Sequence, residues 1–448
     1  MSFFRLRRCV PALLVAVAAL TLAACGDHYP NSTFTQFTDN NRTIGALWDR
    51  LMFFGTIVFV FVEGLLIFTI IKFRKRPGGP AAKQIHGHAM LEITWTVIPA
   101  LILVMIAVPT VKAIYSTQAK AADGALKVEV IGHQWWWEFR YPELGVVTAN
   151  ELYLPAGRTV SFQLNTRDVL HSFWTPQLGG KRDLITNRTN WMWYTPDSSL
   201  ADQVFNGFCV EYCGSSHANM RFRTYVVSAD KFASWAKHQA TVAMGAPAPA
   251  AAPAAVTAAA PAAGAKAPVL AAANVAGVAG AAPASAAAPA PEDAGYVFPA
   301  DKMPAFTIPT TPLPSGENAI PYNEALLAQG SAAAGRELLT NMANMGTAPC
   351  LTCHVIKGEG TAMGLTDNAA RGPNLTHFGT RHTLGGGLFK ADAPTLARWI
   401  KNAPHMKPGS IMPTLGAGEY NPMLKQKMAS GLDDRQIADI VAYLMSLK

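Results

Sequence analysis

The stretch at residues 209–220, CVEYCGSSHANM, concentrates more potential metal ligands than any other short stretch of this chain. It holds two thiols four residues apart, a histidine four residues after the second thiol, and a methionine three residues later. Thiolate, imidazole and thioether ligands on one short loop suit copper. A second imidazole is available upstream at His171, within DVLHSFW (168–174), which we place in a turn between strands.

The same residues admit two other interpretations. In an oxidising compartment Cys209 and Cys213 could form a disulfide, and zinc takes the same cysteine and histidine ligands. Both leave Met220 without a role, because zinc has little use for a thioether. The spacing therefore favours copper.

The composition indicates several domains and a membrane. The chain has 448 residues, enough for two or three domains, and 50% of them are hydrophobic. The net charge is +8, but the basic residues are scattered or flank apolar spans rather than forming a patch on a recognisable binding fold. We therefore expect no nucleic-acid partner.

The first 24 residues have the features of a secretory signal peptide. Three arginines within the first eight residues precede an apolar run at about 10–22 and the sequence LAAC, which ends at Cys25. This ending resembles a bacterial lipobox, which implies lipidation of Cys25. The alternative is ordinary cleavage after Ala24, which leaves the cysteine unmodified.

Residues 25–120 contain two apolar spans, at about 44–71 and 93–114, and each is long enough to cross a bilayer as a helix. Basic residues between the spans put that loop in the cytoplasm by the positive-inside rule. They are Lys72, Arg74, Lys75, Arg76 and Lys83. The spans therefore form a hairpin whose two flanks lie outside the cell membrane, in agreement with the secretory signal.

Residues 121–240 have the pattern of a β sandwich or barrel. The predicted strands are 127–131, 134–141, 159–164, 190–195 and 221–227.

From about 242 to 291 the chain consists almost entirely of Ala, Pro, Gly and Val, so we assign a linker to 241–321. A flexible chain of roughly fifty residues has an end-to-end distance of about 40 Å, so the C-terminal part could reach the β-domain.

Residues 322–448 contain CLTCH at 350–354, the attachment motif of a c-type haem. Cys350 and Cys353 would form thioethers to the porphyrin, and His354 would coordinate the iron. A redox dithiol is the alternative for a bare match. Helical patterns on either side support a haem domain: one at 331–342, and an amphipathic final helix capped by Asp433 or Asp434.

The sixth iron ligand is expected to be a methionine, because a thioether raises the haem potential. Met412 stands in GSIMP (409–413), which fits a Met-Pro loop, and Met406 and Met363 are its competitors.

Together these motifs resemble subunit II of the haem-copper cytochrome c oxidases with a fused cytochrome c domain, the caa3 type. The copper loop, HQWWWEF (133–139), LEITWTVIP (91–99) and the haem motif carry the resemblance. It implies a multidomain fold: a two-helix transmembrane hairpin, an all-β cupredoxin-like Greek-key barrel and an all-α cytochrome c domain.

The resemblance also assigns roles to residues of the copper domain. Cys209 and Cys213 would bridge the two coppers of a CuA centre. The remaining copper ligands would be His171, His217, Met220 and the backbone carbonyl of Glu211.

Three further residues receive roles in the same way. Trp135 would be the surface residue through which electrons enter, whereas Trp136 and Trp137 are more simply explained as packing residues. The Glu211 carboxylate would share a magnesium ion with subunit I. Glu92 would lie at the entrance of a proton path, or it is a helix-end carboxylate near the cytoplasmic surface.

The implied function is electron transfer into an oxidase of the bacterial cell membrane. Cytochrome c or an upstream respiratory complex would reduce the haem, and the electron would then pass to copper and on to haem in subunit I. Subunit I, with haem a, haem a3 and CuB, would reduce oxygen and pump protons, and subunit III would be a further partner. This chain holds no ligand set for the oxygen site.

Other functions use similar parts. A copper-containing nitric oxide reductase could have such an electron-accepting subunit, and the chain could be a membrane-tethered electron carrier outside any enzyme. Nitrous oxide reductase shares the copper motif but needs no membrane hairpin, and quinol oxidase subunits lack the copper ligands.

Overall fold

A computed structural model describes residues 29–75, 77–79, 86–243, 295–341, 350–359 and 370–448, together with the single positions 15 and 19. Apart from positions 15 and 19, the predicted signal peptide lies outside the described residues, and so do Cys25, the Ala/Pro-rich stretch at 244–294 and Met363.

Two long helices, α1 (Asp39–Lys72) and α2 (Ala89–Gln118), form the hairpin. Both are long and apolar enough to cross a membrane. Each helix extends beyond the predicted apolar span because polar residues cap it. The Thr38 side chain accepts a hydrogen bond from the Asn41 amide at the start of α1, and His88 caps α2 by accepting from the Leu91 amide.

The outer ends of both helices contact the β-domain. Thr38 Oγ1 donates to the Leu178 carbonyl at 2.5 Å. Arg42 forms a bidentate ion pair with Asp197, at 2.8 and 3.0 Å. At the end of α2, the Thr117 carbonyl accepts from Arg182 at 3.3 Å. The basic loop therefore lies at the opposite end of the hairpin from the β-domain, as the positive-inside rule predicts.

The β-domain consists of two five-stranded sheets, in the order β3-β2-β1-β5-β8 and β4-β10-β9-β6-β7. The strands are β1 (Leu126–His133), β2 (Trp136–Tyr141), β3 (Val146–Ala149), β4 (Glu151–Pro155), β5 (Val160–Thr166), β6 (His171–Trp174), β7 (Arg182–Leu184), β8 (Asn190–Tyr194), β9 (Gln203–Cys209) and β10 (Arg221–Val227). A helix, α3 (Ala229–Gln239), follows the last strand.

Aromatic rings fill the space between the two sheets. Trp137 and Phe139 of one sheet meet Phe173 and Phe222 of the other, with ring centroids 5.5–6.3 Å apart. All four side chains are buried. Burial of aromatic rings at these separations supplies both hydrophobic and edge-to-face stabilisation, so this cluster holds the sheets in register.

The sequence placed His171 in a turn, and that placement is wrong. His171 is the first residue of β6, which pairs with β9 so that Phe173 lies opposite Cys209. Strand β6 was not predicted because it has only four residues. Its partner β9 contains Asn206-Gly207, a dipeptide typical of turns. Pairing within the sheet fixes the position of His171 more firmly than a loop would.

Residues 295–321, which the composition placed in the linker, pack on the folded domains. Phe298 is 1% exposed and lies against Tyr225, with ring centroids 5.2 Å apart. Ile320 is buried in the core of the C-terminal domain. The predicted linker and the observed packing differ because the Ala/Pro-rich composition ends at about residue 291. The apolar side chains that follow can be buried. This segment therefore connects the two domains by packing against both.

Within its described residues, the C-terminal domain contains three α-helices, α4 (Ala332–Thr340), α5 (Ala393–Met406) and α6 (Asp434–Ser446). Two short hairpins accompany them, β11–β12 (Thr383–Leu384, Phe389–Lys390) and β13–β14 (Tyr420–Asn421, Gln426–Lys427). Asp433 caps α6 in a capping box with Gln436. Helices α4 and α6 cross closely at Gly335, where any Cβ would overlap the Asp439 carbonyl. The crossing brings the apolar faces of these helices together.

Candidate copper and haem sites

The copper loop joins two paired strands. Cys209 is the last residue of β9, and Met220 immediately precedes β10, which runs antiparallel to β9. His171 stands at the near end of β6, on the other side of β9. The sheet therefore brings the end of β9 and the start of β6 together beneath the loop.

The side chains of the predicted ligands converge at this point. The Sγ atoms of Cys209 and Cys213 are 3.8 Å apart. His171 Nδ1 lies 3.8 Å from the first sulfur, and His217 Nδ1 lies 3.6 Å from the second. Met220 Sδ is 4.0 Å from Cys213 Sγ. A disulfide has a sulfur–sulfur distance of about 2.05 Å, so the cysteines are not bridged, and the donor set fits copper.

The two thiols differ in acidity because they interact directly. The hydrogen bond with Cys213 lowers the pKa of Cys209 to about 4, against the effect of burial and together with the contact with His171. The neighbouring Cys209 sulfur in turn raises the pKa of Cys213. One thiol of the pair is therefore readily ionised, and thiolate is the form that binds metals.

Asp168 holds His171 in place. Burial alone would raise the pKa of Asp168, but hydrogen bonds from His171 and from the amides of Gln134 and Val169 lower it. His171 Nε2 lies 2.8 Å from Asp168 Oδ1, so Nε2–H donates and Nδ1 faces the cysteines. A carboxylate behind a metal-binding histidine fixes its ring and tautomer. No local pattern assigned this role to Asp168 in advance, although the Asp-x-x-His spacing is a signal that could have suggested it.

Trp135 is bonded to the copper loop. Its Nε1–H donates to the Cys213 carbonyl at 2.9 Å, and the Gln134 side chain donates to the same oxygen at 2.7 Å. Its two neighbours are packing residues: Trp137 lies in the core, and Trp136 stacks on His133 with centroids 4.1 Å apart.

A cavity of about 430 Å³ in the C-terminal domain collects the predicted haem residues. Cys350, Cys353, His354 and Met412 line it. His354 Nδ1 lies 2.7 Å from the Pro373 carbonyl, so Nδ1–H donates and Nε2 is left for a metal. Burial lowers the pKa of His354, which favours the neutral imidazole that binds iron. These residues fit a covalently attached haem.

The methionine candidates differ in position. Met412 contributes to the cavity lining, whereas Met406, at the end of α5, is buried in the domain core and is not among the lining residues. Two of the remaining predicted residues lie on the surface of the chain. Glu211 is exposed beside the copper loop, and its backbone oxygen lies 3.3 Å from Cys209 Sγ. Glu92 is exposed in the first turn of α2 and accepts the His88 amide at 3.1 Å.

The hairpin, the thiol-rich loop on a β-sandwich and the haem-type cavity define a class of protein: membrane-anchored electron-transfer proteins with a copper centre and a covalent haem. Three family models match the chain in this order. They describe the transmembrane domain of cytochrome c oxidase subunit II (residues 37–113), its periplasmic domain (144–230) and cytochrome c (332–448).

Individual relatives agree with these matches. Cytochrome c oxidase subunit 2 of Alkalihalophilus pseudofirmus is 28% identical over 88% of this chain and 83% of its own length. The Bacillus subtilis protein of that name is 35% identical over 50% and 67%, and the probable subunit 2 of Rickettsia bellii is 34% identical over 44% and 78%. A solved periplasmic domain of subunit II from Bradyrhizobium japonicum is 30% identical, over 27% of this chain and 94% of that one, with a TM-score of 0.25.

The chain belongs to the cytochrome c oxidase subunit II family. It is a subunit of a haem-copper oxidase, an oxidoreductase, and it carries a cytochrome c domain fused at its C-terminal end. Its cofactors are the copper centre of the periplasmic domain and haem c. The hairpin anchors it in the membrane, with the copper domain on the periplasmic side.

Replacing Asp168 with Asn tests its role behind His171. The loss of the charge and of one acceptor oxygen should weaken copper binding by about 10- to 100-fold, as for other groups that orient a metal-binding histidine. Competition with a copper chelator measures the affinity. Asp123→Asn, in an exposed turn, is the control. Equal affinities in the two variants would contradict the assignment.

Replacing Met412 with Ala tests the sixth iron ligand. The low-spin spectrum of a methionine-ligated haem should be lost, because alanine has no donor atom. Visible absorption of the purified protein is the measurement. Met406→Leu keeps the core volume and should leave the spectrum as it is. Persistence of the low-spin spectrum in Met412→Ala would rule this residue out.

Proposed function

We propose that this chain is the subunit through which electrons enter a proton-pumping terminal oxidase. Cytochrome c or an upstream respiratory complex delivers electrons to its haem domain, and they leave through its copper domain to subunit I. Subunit I, with haem a, haem a3 and CuB, reduces oxygen to water, and subunit III completes the complex. The names of the relatives favour an oxidase over a nitric oxide reductase and over a carrier outside an enzyme.

Each cofactor has a proposed set of ligands in this chain. The copper ligands are the side chains of His171, Cys209, Cys213, His217 and Met220 and the carbonyl of Glu211. Cys350 and Cys353 form the thioethers, and His354 and Met412 bind the iron. When bound, the copper centre and the haem each accept and release one electron. The convergence of these side chains at two places supports the assignment.

The position of Trp135 is the observation on which the relay rests. Trp135 is one of the residues that line the haem cavity on the copper-domain side, and its indole nitrogen donates to the carbonyl of Cys213. One residue thus connects the cavity with the copper loop. We propose that Trp135 accepts the electron from the haem domain, and that the ring is held rigidly by its bond to the loop.

Two carboxylates are proposed to act at the boundary with subunit I. The Glu211 side chain is exposed while its backbone faces the copper cysteines, which suits a shared magnesium ion. Glu92 lies at the cytoplasmic end of α2, where a proton path into subunit I would begin. Its bond to the His88 amide supports the simpler role of a helix cap as well.

Replacing Trp135 with Phe in the purified oxidase tests the relay. Phenylalanine cannot donate to the Cys213 carbonyl and fills less of the space between cavity and loop, so copper reduction should slow while haem c reduction keeps its rate. Stopped-flow absorption resolves the two steps. The control is Trp191→Phe, on β8 beside Lys120. If copper is reduced at the same rate in Trp135→Phe as in the control, the relay does not pass through Trp135.

A further inference from the structure

The haem domain lies directly on Trp135. Gly409, in the loop that leads to Met412, packs against the indole, and a Cβ at Gly409 would be 2.7 Å from the ring. Next to it, Ser216 of the copper loop donates to the Pro408 carbonyl. The loop before Met412 therefore covers the residue proposed to accept electrons.

One charged group on the copper domain has its partners on the haem domain. Glu151, on β4, is only 5% exposed. Its Oε1 accepts from the backbone amides of His382 and Thr383 at 2.8 and 2.9 Å, and from the Thr383 hydroxyl at 3.2 Å. Hydrogen bonds to a carboxylate are stronger than those between neutral groups, so these three bonds stabilise the contact between the two domains.

On the haem domain, the side chain of Lys407 reaches across to the copper domain. Lys407 is 3% exposed. Its ammonium group donates to the Trp135 carbonyl at 2.5 Å and to the Gly385 carbonyl at 3.0 Å. Within the described part of the chain it forms no ion pair. Lys407 therefore fixes the backbone of Trp135 while Gly409 lies on its ring.

The two contacts depend on the domains being together. A buried polar or charged group is costly unless hydrogen bonds compensate it. Here the other domain supplies all three hydrogen bonds of Glu151 Oε1 and one of the two hydrogen bonds of Lys407. If the domains separated, Glu151 would lose all three of these bonds and Lys407 would lose its bond to Trp135. The Glu151 side chain reaches from the copper domain to the haem domain, and the Lys407 side chain reaches from the haem domain to the copper domain. Together the two contacts fix both the position and the orientation of the haem domain.

We propose that Glu151 and Lys407 are positioning residues that seat the haem domain over Trp135 and thereby close this residue to soluble electron donors. An external donor then reaches copper only by way of the haem domain. The inference rests on the proposed relay for its consequence, but the seating itself can be measured without any electron transfer.

Hydrogen exchange of the full chain in the oxidase complex measures the seating. The amide of Arg221 donates to the Gly386 carbonyl across the interface, at 2.8 Å, and has no hydrogen bond to Glu151 or Lys407. In Glu151→Ala and in Lys407→Met its exchange should be faster by at least about 30-fold, because truncating one partner of a buried, hydrogen-bonded charge weakens an interface by that much or more.

Two control variants separate seating from general damage. Glu143→Ala removes an exposed carboxylate of the copper domain, paired with Lys127, and should leave the exchange of Arg221 at the parental rate. Glu151→Gln keeps an acceptor oxygen for the His382 and Thr383 amides, so its exchange rate should lie closer to the parental one than that of Glu151→Ala. The copper spectrum should be the same in all variants, and the haem spectrum should be the same in the Glu143 and Glu151 variants, because Lys407 also lines the haem cavity.

The electron-transfer measurement follows the same variants with a soluble reduced cytochrome c. In the parental oxidase, copper reduction should follow haem c reduction. In Glu151→Ala and Lys407→Met, a second phase of copper reduction should appear whose rate rises with the donor concentration and does not require prior haem c reduction.

The two measurements separate the seating of the haem domain from the closure of Trp135 to soluble donors. Parental exchange of Arg221 in both variants would overturn the seating role. Faster exchange without the second phase would overturn the closure of Trp135. Direct copper reduction in the parental oxidase, with Arg221 still protected and sensitive to both substitutions, would contradict the relay and the closure but leave the seating intact.

Discussion

The pairing of β9 with β6 on one side and β10 on the other is the constraint on which the copper site depends. This pairing places Cys209 and His171 at one end of the sheet. The loop between β9 and β10 carries Cys213, His217 and Met220 and lies above these two residues. The aromatic cluster between the sheets keeps these strands in register. A rigid sheet suits electron transfer, because ligands that barely move need little reorganisation when the charge changes.

The same sheet also positions the haem domain. Glu151 lies on β4 and Arg221 on β10, which are neighbours in the copper-site sheet, and both bond to the segment 382–386. A second segment of the haem domain, residues 407–409, contacts Trp135 and the copper loop, to which Trp135 is itself bonded. The segment 295–321 packs on both domains. The copper ligands, Trp135 and the haem cavity are therefore linked through one continuous set of contacts.

Local spacing in the sequence was enough to predict the copper loop, the haem motif and the hairpin, because the residues of each lie within one short stretch. Features that depend on distant pairing could not be predicted in this way. Glu151 meets His382 across 231 positions of the chain, and no local pattern signals such a contact. His171 was placed in a turn because β6 is short and β9 contains an Asn-Gly pair that resembles a turn. The packing of 295–321 was missed because its irregular, Pro-containing sequence resembles a linker, although its apolar side chains are buried.

We propose that Cys209 and Cys213 hold two copper ions between which one unpaired electron is shared. Paramagnetic resonance of the purified oxidase, together with its copper content, decides this. We expect a hyperfine pattern from one unpaired electron divided between two equivalent copper nuclei. A pattern from a single copper nucleus, or fully matured protein that contains zinc at this site, would contradict it.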